Sequence, residues 1–207
     1  FKIKEVTFIN IGGITNITTI SNKDNMLGTD IGPGMCLIDR WLRQESKKNY
    51  DKDGIIAKSG NVNYEALQLL LKNFYKKENT VLKKPIQSFD TKHFDFSFVQ
   101  NLTLEDGAAT LTEFTTQIII DAIKEKNLDK FKIILCGGGR KNNFLVEKLK
   151  KNFSLELIDE RGVDGDFVES QAFAYLATRS YLNLPISFPE TTGCKKPSTG
   201  GELIKNF

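Results

Sequence analysis

The amino-acid sequence predicts a single α/β domain. Residues 6–20 are rich in β-type residues, and an apolar strand pattern at residues 131–136 runs directly into three glycines and then a helical pattern. Amphipathic helical patterns occupy much of the chain between these two regions. The chain has 207 residues, of which 40% are hydrophobic and 27% charged, so it can bury a sizeable core. These fractions exclude a disordered or fibrous protein.

The first third of the chain is expected to begin with a β-hairpin. Two β-type segments flank Gly12 and Gly13, which favour a tight turn. A polar turn is expected at residues 21–25. Residues 28–34 hold three glycines and one proline, which predicts a shaped loop and not a regular element.

The rest of the chain shows helical periodicity with two further strands. A second, weaker strand pattern follows the apolar strand, and residues after 182 are expected to form loops. Residues 76–98 show no readable pattern. The periodicity predicts helices at residues 35–45, 104–126 and 167–182, and shorter helices around Leu67–Phe74 and Leu145–Leu149.

Charge and cysteine content exclude several classes of protein. The 29 basic and 26 acidic residues give a net charge of +3 and are scattered, so no nucleic-acid partner is expected. No apolar run reaches the roughly 20 residues of a membrane helix, so no membrane partner is expected. The three cysteines are odd in number and lack CxxC spacing. They argue against a disulfide framework or a zinc site and fit a reducing cytoplasmic location.

Glycines between a strand and a helix are candidates for phosphate binding, because they let backbone N–H groups approach an anion. Gly137, Gly138 and Gly139 have this context. The same arrangement is equally typical of a tight turn with no ligand. The segment lacks both the GxGxxG pattern and the Walker lysine.

The N-terminal hairpin is a second candidate for phosphate binding. Gly12 and Gly13 can present backbone donors without steric obstruction, and side chains such as Asn16 can add hydrogen bonds. A plain β-turn is the simpler interpretation of the glycines alone.

Three titratable residues are candidates for a role in the site. Asp30 precedes Gly32-Pro33-Gly34 and could deprotonate water or a sugar hydroxyl, help position magnesium, or only bond its own turn. Glu169 follows a glycine-bearing loop and could contact a substrate. Its spacing from Asp166 is also that of a helix capping box. His93, the only histidine, has no nucleophile pattern beside it and is not expected to be catalytic.

Taken together, these segments resemble the anhydro-N-acetylmuramic acid kinase family. The resemblance covers essentially the whole chain, and its specificity lies in the ordered set of motifs. The motifs are NIGGITNIT at residues 10–18, DIGPG at 30–34, YDKDG at 50–54, GAATLT at 107–112, CGGGRKNN at 136–143, DGDFVESQAFA at 164–174, LP at 184–185 and TG at 192–193.

The resemblance implies a fold and an activity. It implies an RNase H-like (actin-like ATPase) lobe with a mixed sheet and flanking helices, in a superfamily that binds ATP between two such lobes. The family uses ATP, Mg²⁺ and water to open the ring of 1,6-anhydro-N-acetylmuramic acid and to phosphorylate O6. The product is N-acetylmuramic acid 6-phosphate, formed in cytoplasmic peptidoglycan recycling.

The resemblance also implies roles for individual residues. Asp30 matches the catalytic aspartate that activates the attacking water. The hairpin at residues 10–18 matches a phosphate-facing motif, and the glycines at 137–139 match the segment near the adenosine. Ile31 and Met35 stand where the family usually has Thr and Asn, which is expected to remove hydrogen-bonding groups beside Asp30.

The family's N-terminal phosphate loop has no counterpart in this sequence. Residues 1–207 are therefore expected to form one α/β lobe, the C-terminal part of a two-lobe kinase, with the missing N-terminal lobe as a partner. An exposed apolar face and a possible homodimer are expected to follow. Two alternatives stay open, another sugar kinase of the same superfamily and a non-catalytic remnant or interaction module.

Overall fold

A five-stranded mixed β-sheet forms the centre of the molecule. The computed structural model describes residues 5–22, 25–78 and 88–204. The strand order is β3-β2-β1-β4-β5. The first three strands are antiparallel, β4 pairs with β1 in parallel, and β5 pairs with β4 in parallel. This arrangement confirms the predicted RNase H-like α/β fold. The strands are β1 (Val6–Ile11), β2 (Ile14–Asn22), β3 (Asn25–Pro33), β4 (Lys132–Cys136) and β5 (Leu155–Leu157).

Seven α-helices accompany the sheet in the described part of the chain. The helices predicted from periodicity are confirmed, with bounds that differ by a few residues. The polar segment around residue 57 and the tail each contain a short helix that the sequence pattern did not predict. The helices are α1 (Cys36–Glu45), α2 (Ile55–Ser59), α3 (Tyr64–Glu78), α4 (Leu104–Glu125), α5 (Asn143–Lys150), α6 (Val168–Tyr181) and α7 (Pro189–Thr192).

Helix α4 is the central packing element because it contributes to two hydrophobic clusters. Its first half packs Leu111 and Phe114 with side chains of α1 and α3. Its second half packs Ile119 and Ile123 against the inner face of the sheet and α5. Thr103 begins the helix by accepting a hydrogen bond from the Asp106 N–H at 3.1 Å, the usual role of an N-cap threonine. The long helix therefore holds α1, and with it the end of β3, against the sheet.

The sequence-based expectation of a loop at residues 28–34 is wrong for most of that segment. Residues 25–33 form β3, which lies at the edge of the sheet and pairs with β2. An edge strand tolerates glycine and proline, because one side of its backbone needs no ladder partner. A register shift opposite Thr15 and Asn16 accommodates the irregular backbone.

The last long helix, α6, differs from the other helices of eight or more residues because none of its side chains is buried. Phe173, Tyr175 and Tyr181 are 64%, 61% and 72% exposed. Single exposed apolar residues are ordinary, whereas several exposed aromatic rings on one helix are unusual. Among the described residues, no helix combines the length and the apolar character needed to cross a bilayer.

Candidate functional site

The two glycine segments predicted to bind phosphate meet at one cavity, which we call the glycine cavity. They meet because β1 and β4 are parallel neighbours, with Asn10 opposite Cys136, so both strands end at the same edge of the sheet. The cavity has a volume of about 510 Å³. It is lined by Ile11, Gly12, Gly13, Met35, Asp39, Tyr50, Asp51, Lys52, Asp53, Gly138, Gly139, Lys141 and Asn142.

The hairpin turn of the glycine cavity is bonded to the start of α1. The Gly12 carbonyl accepts a hydrogen bond from Met35 N–H at 2.8 Å, and the Gly13 carbonyl accepts one from Gly34 N–H at 2.9 Å. A side chain at Gly34 would collide with the Gly12 carbonyl oxygen. Glycine at this position therefore lets the end of β3 approach the hairpin turn closely.

The second glycine turn contains one position that faces open space. Gly137 has a φ of +79°, which favours glycine, and a side chain there would collide with Asn10. A side chain at Gly139 would collide with Ile11. A methyl group at Gly138 would meet nothing within 4 Å. Packing therefore accounts for Gly137 and Gly139, whereas Gly138 is the position that leaves room for a ligand.

Two aspartates of the glycine cavity have different environments. The Asp51 carboxylate accepts hydrogen bonds from Ile56 N–H and Ala57 N–H, both at 2.9 Å. It thereby pairs two free N–H groups in the first turn of α2. In Asp39, Oδ1 is buried with no hydrogen-bond partner among the described residues. Burial raises the pKa of Asp39 to about 6, which Asp51 reinforces and the neighbouring Arg43 opposes.

Asp30 lines a second cavity, which we call the Asp30 cavity. The Asp30 Oδ2 atom accepts a hydrogen bond from the backbone N–H of Phe89 at 2.8 Å. Partial burial raises the pKa of Asp30, and the hydrogen bond from Phe89 opposes this rise. The cavity has a volume of about 360 Å³ and is lined by Asn16, Thr18, Gly28, Thr29, Asp30, Ser88, Thr191 and Thr192.

The structure distributes the sequence-predicted site residues over three places. Gly12, Gly13, Gly138 and Gly139 line the glycine cavity, and Gly137 is not part of its lining. Asn16 lines the Asp30 cavity instead, because the strand register sets it opposite Asp30. Glu169 is exposed in the first turn of α6 and lines neither cavity.

The predicted capping box at Asp166 and Glu169 is wrong. The Asp166 carboxylate accepts hydrogen bonds from Arg140 Nη2 at 2.9 Å and from Lys141 Nζ at 2.5 Å, so it does not cap α6. These two cations compete more strongly for the carboxylate than a backbone amide would. His93 has a local structural contact, since its Nδ1 accepts the Asp90 N–H at 3.1 Å.

The two departures from the family pattern lie in different surroundings. Ile31 is fully buried in the cluster between the sheet and α4, because alternate residues of β3 point to opposite faces. Its side chain therefore points away from the face that carries Asp30. Met35 lines the glycine cavity and precedes α1 without capping it.

Several cavity residues were missed because no local pattern marks them. Asp39 lies within an ordinary helical pattern, and the tail residues Thr191 and Thr192 reach the Asp30 cavity only because α7 packs on β3. In the sequence, the YDKDG motif marks the loop that carries Asp51, and the TG motif marks the tail.

Comparisons with known proteins agree with these features. The family model described as anhydro-N-acetylmuramic acid kinase matches residues 2–206. The curated anhydro-N-acetylmuramic acid kinase of Pelagibacter ubique is 47% identical over 99% of this chain and 56% of its own length. The protein of that name from Methylorubrum populi is 38% identical over 93% of this chain and 50% of its own length.

The third relative is the Zymomonas mobilis protein of the same name, which is 36% identical over 94% of this chain and 53% of its own length. The chain thus spans about half the length of the curated relatives it matches. Among solved structures, an activator of 2-hydroxyisocaproyl-CoA dehydratase from Clostridium difficile with bound ADPNP aligns with 73% of this chain and 53% of its own, at a TM-score of 0.46 and 13% identity. With a family model matching nearly every residue and relatives well above 30% identity, this chain belongs to the anhydro-N-acetylmuramic acid kinase family.

Proposed function

We propose that this chain provides one lobe of a kinase that opens and phosphorylates 1,6-anhydro-N-acetylmuramic acid with ATP. The observation that carries the proposal is the β1–β2 hairpin, whose turn lines the glycine cavity and whose second strand lines the Asp30 cavity. A phosphoryl donor and a sugar bound in these cavities would share one rigid element. Such shared positioning is the main requirement of phosphoryl transfer.

The glycine cavity suits a nucleotide. Gly12, Gly13 and Gly138 leave backbone accessible at its surface, and Lys141 adds a positive charge to its lining. Asp39 and Asp53 are carboxylates on the same lining. Mg²⁺ is usually held by one or two carboxylates together with substrate phosphates, so these two acids would contact Mg²⁺ only once a nucleotide is bound.

The described residues provide no cluster of acidic, histidine or cysteine side chains that would hold a metal ion by itself. The ranges 5–22, 25–78 and 88–204 contain no group of three histidine, cysteine, aspartate or glutamate side chains able to hold a metal ion. A nucleotide-dependent Mg²⁺ is therefore the form of metal use that this lining fits.

The Asp30 cavity suits the sugar. Threonine and serine hydroxyls and the Asn16 amide line it beside the Asp30 carboxylate. Hydroxyls and amides donate and accept hydrogen bonds, as a polyhydroxylated ligand requires. The Phe89 N–H donates a hydrogen bond to Asp30 Oδ2, which holds the carboxylate in place while it acts.

Asp30 is the general base of the proposed reaction. The carboxylate takes a proton from water as the water oxygen forms a bond to the anomeric carbon. The bond from that carbon to O6 breaks, and O6 then accepts the phosphoryl group that ATP supplies. A carboxyl with a raised pKa is a better base than an exposed one, provided that it stays ionised at working pH.

We also propose that residues 1–207 form one lobe and that a second lobe completes the nucleotide site. The support is α6, which exposes Phe173, Tyr175 and Tyr181 although helices of this composition usually pack on another surface. The glycine cavity is also open, with walls from this lobe alone. Cytoplasmic peptidoglycan recycling is the proposed setting of the reaction.

The test is a turnover assay on the longest polypeptide that contains this sequence. Anhydro-N-acetylmuramic acid, ATP and Mg²⁺ should yield N-acetylmuramic acid 6-phosphate and ADP, detected by mass spectrometry. Phosphorylation of ordinary hexoses but not of the anhydro sugar would indicate another sugar kinase. Absence of turnover with every sugar, in a folded protein, would indicate the non-catalytic alternative.

A further inference from the structure

A buried arginine lies directly behind the glycine cavity. Arg140 is only 4% exposed, and it follows the three glycines of the second turn. A buried guanidinium is stable only when its donors are satisfied, because removing the charge from water is costly. The groups that accept hydrogen bonds from Arg140 are therefore the parts of the molecule whose positions depend on this side chain.

The guanidinium contacts three separate segments. Its Nη1 donates to the Gly137 carbonyl at 3.0 Å, which belongs to the glycine turn. Its Nε and Nη2 donate to both carboxylate oxygens of Asp159, at 2.7 and 3.1 Å. Its Nη2 also donates to Asp166 at 2.9 Å. A side chain at Gly165 would collide with the guanidinium, so the loop that leads to α6 wraps closely around it.

The charges of this cluster are strongly coupled. Hydrogen bonding from Arg140 lowers the pKa of Asp159 to about 2, and hydrogen bonding to Asp159 raises the pKa of Arg140. Lys141, which lines the glycine cavity, shares the Asp166 carboxylate with Arg140. A ligand that moves Lys141 or the glycine turn would therefore disturb both carboxylates.

We propose that Arg140 is a positioning residue that ties the glycine turn to residues 159–166, so that nucleotide in the glycine cavity alters the start of α6. The inference rests on the proposed binding of ATP in that cavity. The α6 helix begins at Val168, two residues after Asp166, and carries Glu169 in its first turn. The orientation of this exposed helix is thus coupled to the nucleotide through one side chain.

The experiment is hydrogen–deuterium exchange on the longest polypeptide that contains this sequence, with and without saturating Mg-ATP and no sugar. In the wild-type protein, ATP is expected to slow amide exchange at least about threefold in residues 137–142 and in residues 159–166. In Arg140→Lys, ATP should protect residues 137–142 and no longer protect residues 159–166. Lysine keeps the charge but lacks the planar fork that holds several acceptors at once.

The readout is the change caused by ATP within each variant, so a general loss of stability does not mimic it. Asp166→Ala is the second variant, because Asp166 is half-exposed and its loss should leave the fold intact. This variant should lose ATP protection in residues 163–168 while Asp159 keeps its own bond to Arg140. Arg161→Ala is the matched control. It breaks a neighbouring ion pair, Arg161 with Glu156 at 2.5 Å, which does not reach the glycine turn.

Each result bears on the inference differently. ATP protection of residues 159–166 that survives in Arg140→Lys, or that is lost equally in Arg161→Ala, overturns it. ATP protection limited to residues 137–142 in the wild-type protein also overturns it and leaves the proposed nucleotide site intact. No ATP protection in either segment, together with no turnover, overturns the proposed function and this inference with it.

Discussion

The Asp30 carboxylate and the backbone N–H of Phe89 form a 2.8 Å hydrogen bond that joins β3 to a segment distant in sequence. The Phe89 ring is buried beside Phe94, with ring centroids 5.3 Å apart, and beside Phe74, at 6.3 Å. The aromatic cluster therefore holds the donor that orients Asp30. The orientation of the Asp30 carboxylate therefore depends on packing in the core.

Asp30→Asn is expected to lower the turnover rate at least about 100-fold, because the amide cannot accept the proton of the attacking water. Sugar affinity should change little, since the amide still forms hydrogen bonds. Steady-state kinetics and calorimetry of sugar binding measure the two effects in a polypeptide that turns over the sugar.

The control for Asp30→Asn is Asp129→Asn, an exposed acid outside both cavities. Asp39, Asp51 and Asp53 line the glycine cavity and therefore cannot serve as controls. Near-normal turnover in Asp30→Asn would show that the catalytic assignment is wrong.

Phe89→Ala is expected to reduce stability by about 3 kcal/mol, as for other buried aromatic residues, and to loosen the backbone at residue 89. Weakening the N–H bond to the carboxylate raises the pKa of Asp30, so the acid limb of the pH–rate profile should move to higher pH. Phe94→Ala is the matched control, because it removes a ring from the same cluster without touching Asp30. A limb that moves equally in both variants would contradict the positioning role of Phe89.

Gly138→Ala and Gly139→Ala are expected to separate ligand binding from packing. Gly138→Ala should change stability by no more than about 0.5 kcal/mol, because its methyl group enters open space. The same methyl group should weaken ATP binding at least about tenfold by occupying the cavity. Gly139→Ala should lose about 1–3 kcal/mol of stability through collision with Ile11. Thermal unfolding and nucleotide titration of both variants check this contrast, and equal ATP affinity in wild type and Gly138→Ala would contradict it.

Asp39 is expected to make stability fall as pH rises. Its pKa is about 6 in the folded protein, above the 3.8 of an unperturbed aspartate, so the folded state binds the proton more tightly than the unfolded chain does. This favourable contribution is full below about pH 4 and is lost as pH rises through about 6. Asp39→Asn lacks this dependence, so the wild-type protein should lose stability relative to the variant between these pH values. Urea unfolding at several pH values measures the difference in the free energy of unfolding between the wild-type protein and Asp39→Asn. A difference that does not change with pH would contradict the raised pKa of Asp39.

The exposed aromatic residues of α6 are expected to make the 207-residue chain associate, and its incomplete nucleotide site is expected to bind ATP weakly. Sedimentation should show dimers or larger species, and Phe173→Ser with Tyr181→Ser should reduce them. Calorimetry should give an ATP affinity no better than roughly millimolar, worth about 4 kcal/mol, because the proposed second lobe would supply one wall of the nucleotide site. A clean monomer at high concentration, or micromolar binding of Mg-ATP, would contradict this prediction.

Local features of the chain could be predicted from the sequence alone. The hairpin around Gly12 and Gly13, the strand that ends at Cys136 and the long helix α4 were all predicted, because glycine backbone freedom and apolar periodicity act over a few residues. Asp30 was a candidate from its neighbours in sequence, and only the family resemblance implied its role as the base. Gly138 was a candidate together with Gly137 and Gly139, and only the structure distinguishes it from them.

Long-range pairing accounts for the structural features that could not be predicted from the sequence. Residues 25–33 are a strand only because β2 supplies hydrogen bonds at the sheet edge, and the register of that pairing sets Asn16 opposite Asp30. The Phe89 N–H donates a hydrogen bond to Asp30, which lies 59 positions away in the sequence. The sequence spacing of Asp166 suggested that it caps α6, but its carboxylate instead accepts a hydrogen bond from Arg140. Hydrogen-bond partners of this kind are chosen by distance in the folded chain, and one-dimensional spacing carries no information about that distance.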